Sequence, residues 1–141
     1  VNRFVAGFIG TPPMNFFDGR IKGRDNALTF EGPGGMSLAV TGRQRDALMP
    51  YRDKSVVMGL RPEDIGSPAA EQLPQAPRIR AMVDVVEPMG AESYIYQKAG
   101  DANFVSRVDA HQRLKEGQTV EMAVYMDKAH FFDPANDLRI G

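Results

Sequence analysis

Glycine and proline punctuate this chain so often that no long regular element fits between them. Fourteen glycines and ten prolines fall among 141 residues. The apolar runs between them are mostly of strand length and recur at intervals of about 8 to 12 residues. That rhythm is the signature of a small antiparallel barrel or sandwich. Strands do not alternate with long helices, so a doubly wound sheet is excluded.

A first segment stands apart. Phe4, Val5, Phe8 and Ile9 recur at helical spacing and share one face. Gly10 and Thr11-Pro12-Pro13 then stop the helix. A helix so short and apolar must dock on something, either this chain or another domain. Beyond it, strands are predicted over 16–22 (with an Asp18-Gly19 hairpin as the alternative), 27–30, 36–40 and 55–60. Glu31 to Gly35 reads as a wide turn, and 43–48 as a short helix limited by Pro50. Ser67 to Pro77, with three prolines, reads as a linker. Past it, 78–87 alternates, with Ile79, Ala81, Val83 and Val85 on one side and Arg80, Met82, Asp84 and Val86 on the other. Pro88-Met89-Gly90 is predicted to turn the chain, 92–98, 103–108 and 119–125 to be strands, and 131–140 to be a terminal hairpin or tail. Two strand-rich halves sharing a core are expected to flank the linker.

Composition narrows the chemistry. The net charge is −1, so the basic excess expected of a nucleic-acid binder is absent, and no nucleic-acid partner is expected. Tyr94, Tyr96, Lys98, Phe104 and Arg107 form a candidate stripe for stacking against single strands, but Glu92, Asp101 and Asp109 interrupt it. There is no cysteine, which removes disulfides, thiolate zinc sites and cysteine nucleophiles together. No apolar run approaches the roughly 20 residues that span a bilayer, and the start at Val1 reads as that of an excised segment rather than a signal peptide.

No catalytic constellation emerges. A phosphate-binding loop needs Gly-Lys-Ser/Thr, and the chain has no Gly-Lys pair. His111 and His130 are far apart, and neither has a second histidine at metal-ligand spacing, so no metal site is expected. His111 reads as an exposed turn residue; His130 has Asp127 or Asp133 as possible neighbours. Ser93 lacks a nucleophile elbow. Arg61-Pro62-Glu63-Asp64 is the most informative cluster: either a rigid charged turn, or a docking surface on which a guanidinium meets a partner carboxylate.

Four stretches, in order, carry a resemblance. Phe4-Val5-Ala6-Gly7-Phe8-Ile9-Gly10-Thr11-Pro12-Pro13-Met14-Asn15-Phe16 resembles the junction between the nucleotide-binding domain and the C-terminal regulatory domain in ATP-binding subunits of bacterial sugar ABC importers of the maltose and glycerol-3-phosphate type. Met58-Gly59-Leu60-Arg61-Pro62-Glu63-Asp64-Ile65 resembles the Gly-Ile-Arg-Pro-Glu motif of that family, and Val86-Glu87-Pro88-Met89-Gly90-Ala91-Glu92 its Val-Glu-Pro-Leu-Gly-x-Glu motif. Phe131-Phe132-Asp133-Pro134 is similar to its Leu-Phe-Asp-Pro ending.

The resemblance implies an all-β, OB-fold-like antiparallel barrel with short helices and an N-terminal helical tail. Residues 1–13 would be the end of a nucleotide-binding domain, and 14–141 a transport-associated (TOBE-type) regulatory domain. It implies a non-catalytic regulatory and dimerisation role, with Phe4, Val5, Phe8 and Ile9 as the inter-domain docking helix. Arg61, Glu63, Asp64, Glu87 and Glu92 are the expected partner contacts. No cofactor is expected in this segment, ATP and Mg belonging to the nucleotide-binding domain. Expected partners are a second copy, the transporter's membrane subunits, and a regulatory protein or small ligand, at the cytoplasmic face of the cell membrane. The alternative reading is a β-barrel that senses a small ligand or oxyanion.

Overall fold

Asn15–Arg24 runs as one strand, β1, because Phe17 and Ile21 alternate with Asp18 and Arg20 and bury one face while the charges stay in water. The computed structural model describes residues 13–24 and 27–141. The predicted helix carrying Phe4, Val5, Phe8 and Ile9 lies outside the described residues. β1 passes straight through Asp18-Gly19, and the hairpin comes later, where Arg24 faces Ala27 of β2 (Ala27–Glu31). The wide turn over Glu31 to Gly35 leads to β3 (Ser37–Ala39). Helix α1 (Gly42–Leu48) opens with a reciprocal cap. Gln44 N donates to Thr41 Oγ1 at 3.3 Å, and Thr41 N donates to Gln44 Oε1 at 3.0 Å.

β4 (Ser55–Leu60) is buried from Val56 to Leu60 without alternation. It is sandwiched in its sheet, pairing with β1 on one side and with β9 (His130–Phe132) on the other. The full order is β10-β9-β4-β1-β2-β3, β10 being Arg139–Ile140. A second sheet has the order β7-β6-β5-β8, from β5 (Arg78–Met89), β6 (Glu92–Ala99), β7 (Ala102–Asp109) and β8 (Thr119–Ala123). All pairings between these strands are antiparallel. The all-β class with short helices is thus the one expected, and 131–140 closes as a hairpin.

The two sheets share one core. Phe17 of β1 meets Phe104 of β7 edge-on at 5.4 Å, and Ile21, Leu38, Leu60, Ile79, Ile95 and Val124 belong to the same cluster. A satellite of Met14, Val57 and Phe132, with Phe16, covers the far side of β4. The sheets also touch through backbone. A Cβ on Gly34 would lie 2.7 Å from Gly100 N, and one on Gly100 would lie 2.8 Å from Gly34 N. Both residues have positive φ, at 68° and 59°, so two glycines let the turn after β2 approach the β6–β7 turn.

Four expectations need correction. The ladder between β5 and β6 shifts register between Val83 and Val85, a bulge that turns Val85 outward (44% exposed) and Val86 toward the core. The expected partition of these two valines is therefore reversed. Pro88-Met89 does not turn but extends β5, Pro88 facing Ser93. β8 pairs with β5 only over 78–82, so the proline sits where β5 has an open edge and a missing N–H costs no ladder bond. Ser67 to Pro77 is more than a linker: Ser67 caps helix α2 (Pro68–Glu71), Ala70 is fully buried, and Glu71 Oε2 accepts Ala123 N at 2.9 Å. Finally, the sheets do not divide at that segment, because β9 and β10 return to complete the first sheet.

Candidate partner-contact surface

β4 delivers Arg61 to a tight 3-10 turn, Pro62–Asp64, that begins with the fixed φ of proline. Asp64 N donates to Arg61 O at 2.9 Å, and Tyr125 N donates to Asp64 O at 2.9 Å. Ile65 then bridges to Val124, and Gly66 N donates to Ala123 O at 2.8 Å. The Arg-Pro-Glu-Asp cluster is therefore a rigid turn anchored to the exit of β8.

Its two acids differ. Asp64 is 8% exposed, and burial pushes its carboxyl up from 3.8 to about 6. Glu63 adds to the rise, while Lys128, Arg61 and Arg107 pull it back. Asp64 thus shapes the turn from inside. Glu63 is half-buried, with its Oε1 enclosed and accepting no hydrogen bond among the described residues.

The other expected contacts lie on the outer face of the second sheet. Glu92 is exposed and its Oε2 lies 2.7 Å from Arg107 Nε. Arg107 is also one of the cations acting on Asp64, so it links Glu92 to the turn electrostatically. Glu87 is exposed, faces Tyr94 in the ladder, and accepts a 3.4 Å hydrogen bond from Tyr96 Oη. Register aligns Glu87, Tyr94 and Arg107 across three strands. Burial and the neighbouring Glu87 raise the Tyr96 phenol.

The same face carries an apolar set that no motif announces. Met82, Val85 and Met89 are exposed along β5, and Tyr96 lies opposite Val85 on β6. The bulge creates this apolar row by turning Val85 outward. Its sequence signal is the adjacent pair Val85-Val86, which breaks a strict two-residue alternation.

Ser93, Phe104 and His111 do not converge on one site. Ser93 and Phe104 are buried on the inner face, so Phe104 cannot join the outward tyrosines in a stacking stripe. His111 is exposed with Nδ1 2.7 Å from Asp109 Oδ1. No group of three or more potential metal ligands occurs among the described residues, and no helix among them is long and apolar enough to cross a membrane.

Comparison with known proteins falls on the same architecture. Family models match twice: the MalK OB fold domain over residues 10–65, and the TOBE domain over residues 58–132. The chain is 40% identical to the multiple sugar-binding transport ATP-binding protein MsmK of Streptococcus mutans, 35% to the oligosaccharides import ATP-binding protein MsmX of Bacillus subtilis, and 36% to the trehalose/maltose import ATP-binding protein MalK of Thermococcus litoralis. These alignments cover 99%, 99% and 94% of the chain but only 37%, 38% and 36% of the relatives, so the chain spans little more than a third of their length. Among solved structures, the cytoplasmic molybdate-binding protein ModG superposes with a TM-score of 0.63 over 90% of this chain and 99% of its own, at 14% identity. That likeness is one of fold.

Proposed function

Because the chain belongs to the TOBE domain family and matches ATP-binding subunits of sugar ABC importers, we propose that it is the non-catalytic regulatory and dimerisation domain of such a subunit. The observation that carries this reading is the collinear pair of matches, an OB-fold half and a TOBE half, folded here around one core. On this reading residues 1–13 end a nucleotide-binding domain and 14–141 form the regulatory domain. The same reading assigns ATP and Mg to that nucleotide-binding domain and no cofactor to this segment. The partners are a second copy, the membrane subunits, and a regulatory protein or ligand, at the cytoplasmic face of the membrane.

The mechanism is a difference in affinity. ATPase domains that open and close need a contact that persists through the cycle, and a β-structure with a shared core supplies a rigid one. An effector on this domain shifts transport only in so far as it binds one state of the pair more tightly than the other. Arg61, Glu63, Glu87 and Glu92 present charge for such contacts, and Glu87 and Glu92 share the outer sheet face with the apolar row of Met82, Val85 and Met89. Asp64 holds the turn that carries Arg61 and Glu63.

The test uses the full-length subunit that carries this sequence. Reversing charge at two positions, Arg61→Glu with Glu87→Lys, is expected to weaken self-association or the response of ATP turnover to its regulator, with basal turnover retained. Unchanged association and unchanged regulation would remove these residues from the contact.

A further inference from the structure

The bulge in β5 puts two consecutive side chains on one face. Val83 pairs with Gln97 and Val85 with Tyr96, so Asp84 is the extra residue between them. Asp84 and Val85 are both exposed. Asp84 thereby reaches a depression of about 240 Å³ on the outer face of the second sheet, which it lines together with Tyr96 and Asn103. Gln97 and Phe104 send their side chains into the core, so they contribute backbone to its floor. Asn15, at the start of β1, closes the far side by gripping the outer edge of β7. Its Nδ2 donates to Val105 O at 2.8 Å, and its Oδ1 accepts Val105 N at 2.9 Å.

Donors and acceptors in this lining are unbalanced. Asn15 Nδ2 gives its second hydrogen to Leu60 O at 3.1 Å, and the Tyr96 hydroxyl donates to Glu87 Oε1. Only the Asn103 amide keeps hydrogens to offer among the outward side chains of the lining. Acceptors are in surplus: the Asp84 carboxylate, the Asn103 carbonyl and the Tyr96 phenol oxygen. Asp84 makes no ion pair among the described residues. Lys98 faces Asn103 in the ladder but lies outside the lining. The depression therefore carries one negative charge and no positive one.

We propose that it receives an arginine side chain presented by a partner polypeptide, with the guanidinium forked onto Asp84 and lying against the Tyr96 ring. A guanidinium has donors and no acceptor, which is the complement of this lining. The aromatic face adds attraction for the same cation, whereas an anion is repelled and a neutral polyol finds few donors. The volume falls below the usual range of small-molecule sites and suits one long side chain. Val85, opposite Tyr96, and Met82 continue the rim as exposed apolar surface, the surrounding that shields an interface anchor from water. The choice of a polypeptide partner rests on the regulatory reading and names what this face recognises.

The test titrates this chain with the capped tripeptide Leu-Arg-Leu and follows the chain's backbone amides by NMR. Shifts are expected at Tyr96, Asn103 and Val105. The same peptide with citrulline in place of arginine keeps the shape and loses the charge, and is expected to bind about tenfold more weakly. Methylguanidine, which lacks the flanking leucines, is expected to be weaker by about tenfold as well. Asp84→Asn should lower affinity for the arginine peptide about tenfold, while Asp46→Asn, at an exposed acid on α1, should leave it unchanged. Equal affinity for the two peptides, full affinity in Asp84→Asn, or shifts confined to other strands would overturn the site. Methylguanidine binding as tightly as the peptide would assign the depression to a free cation and overturn the partner. If Asp84→Asn unfolds, Tyr96→Leu supplies the test: it removes the ring, and undiminished affinity would again count against the site. Peptide titration reads the pocket alone and association of the full-length subunit reads the regulatory role, so either can fail without the other.

Discussion

Asp64 is a carboxylate that the fold would rather keep protonated. Its value rises from 3.8 to about 6 on folding, so the folded state binds the proton more tightly than the unfolded chain. The contribution to stability is therefore fully present below about 3.8 and is lost as pH rises through about 6. Asp64→Asn removes this dependence. The difference in urea midpoint between variant and parent should move in the variant's favour as pH is raised from about 4 to about 7.5; a constant difference would contradict the assignment. Gln44 is the other decisive single residue. It completes the cap of α1 and satisfies Met126 O from a position 8% exposed. Gln44→Ala should cost about 2 kcal/mol in chemical denaturation. The sequence announced Arg61, Glu63 and Asp64 as a cluster because they adjoin a strand and a proline. It could not announce the burial of Asp64, which is set by β8 and the following turn more than fifty residues away.

At the scale of the element, local pattern recovered nearly every strand, since alternation and turn residues are properties of a few neighbours. It failed where pairing overrides pattern. The bulge beside Asp84 leaves only one mark in the sequence, the adjacent Val85-Val86, and that pair does not say which of the two valines turns outward. The bulge itself decides that Val85 faces outward and so creates the exposed row with Met82 and Met89. Likewise Pro88 looked like a breaker, because the open edge of β5 is a fact about β8. The turn after β2 offers a graded test. Gly34 and Gly35 both have positive φ, but a Cβ on Gly34 meets Gly100 backbone whereas one on Gly35 meets nothing within 4 Å. Gly35→Ala should cost about 1 kcal/mol from backbone strain alone. Gly34→Ala should cost more than that by about 1 kcal/mol or beyond, because two backbones must separate. Equal losses in thermal or urea unfolding would show that the inter-sheet contact is slack.

The whole molecule is one cooperative body although two family models divide it near residue 60. β9 and β10 come from the C-terminal half yet complete the first sheet, and residues from both sheets form a single cluster. Unfolding should therefore show one transition by circular dichroism and by tyrosine fluorescence, with coincident midpoints. A segment ending at Ile65 should not fold alone, since β4 would lose the strand that covers its outer edge. This return of the chain was not legible in the sequence, because strand order across a long connection leaves no local trace. The central claim concerns what this body does for its neighbours. Light-scattering mass of the nucleotide-free, full-length subunit, measured with and without residues 14–141, tests it most directly. A dimer that becomes a monomer on removal, while basal ATP turnover persists, is the predicted result. A dimer that survives the deletion would contradict it.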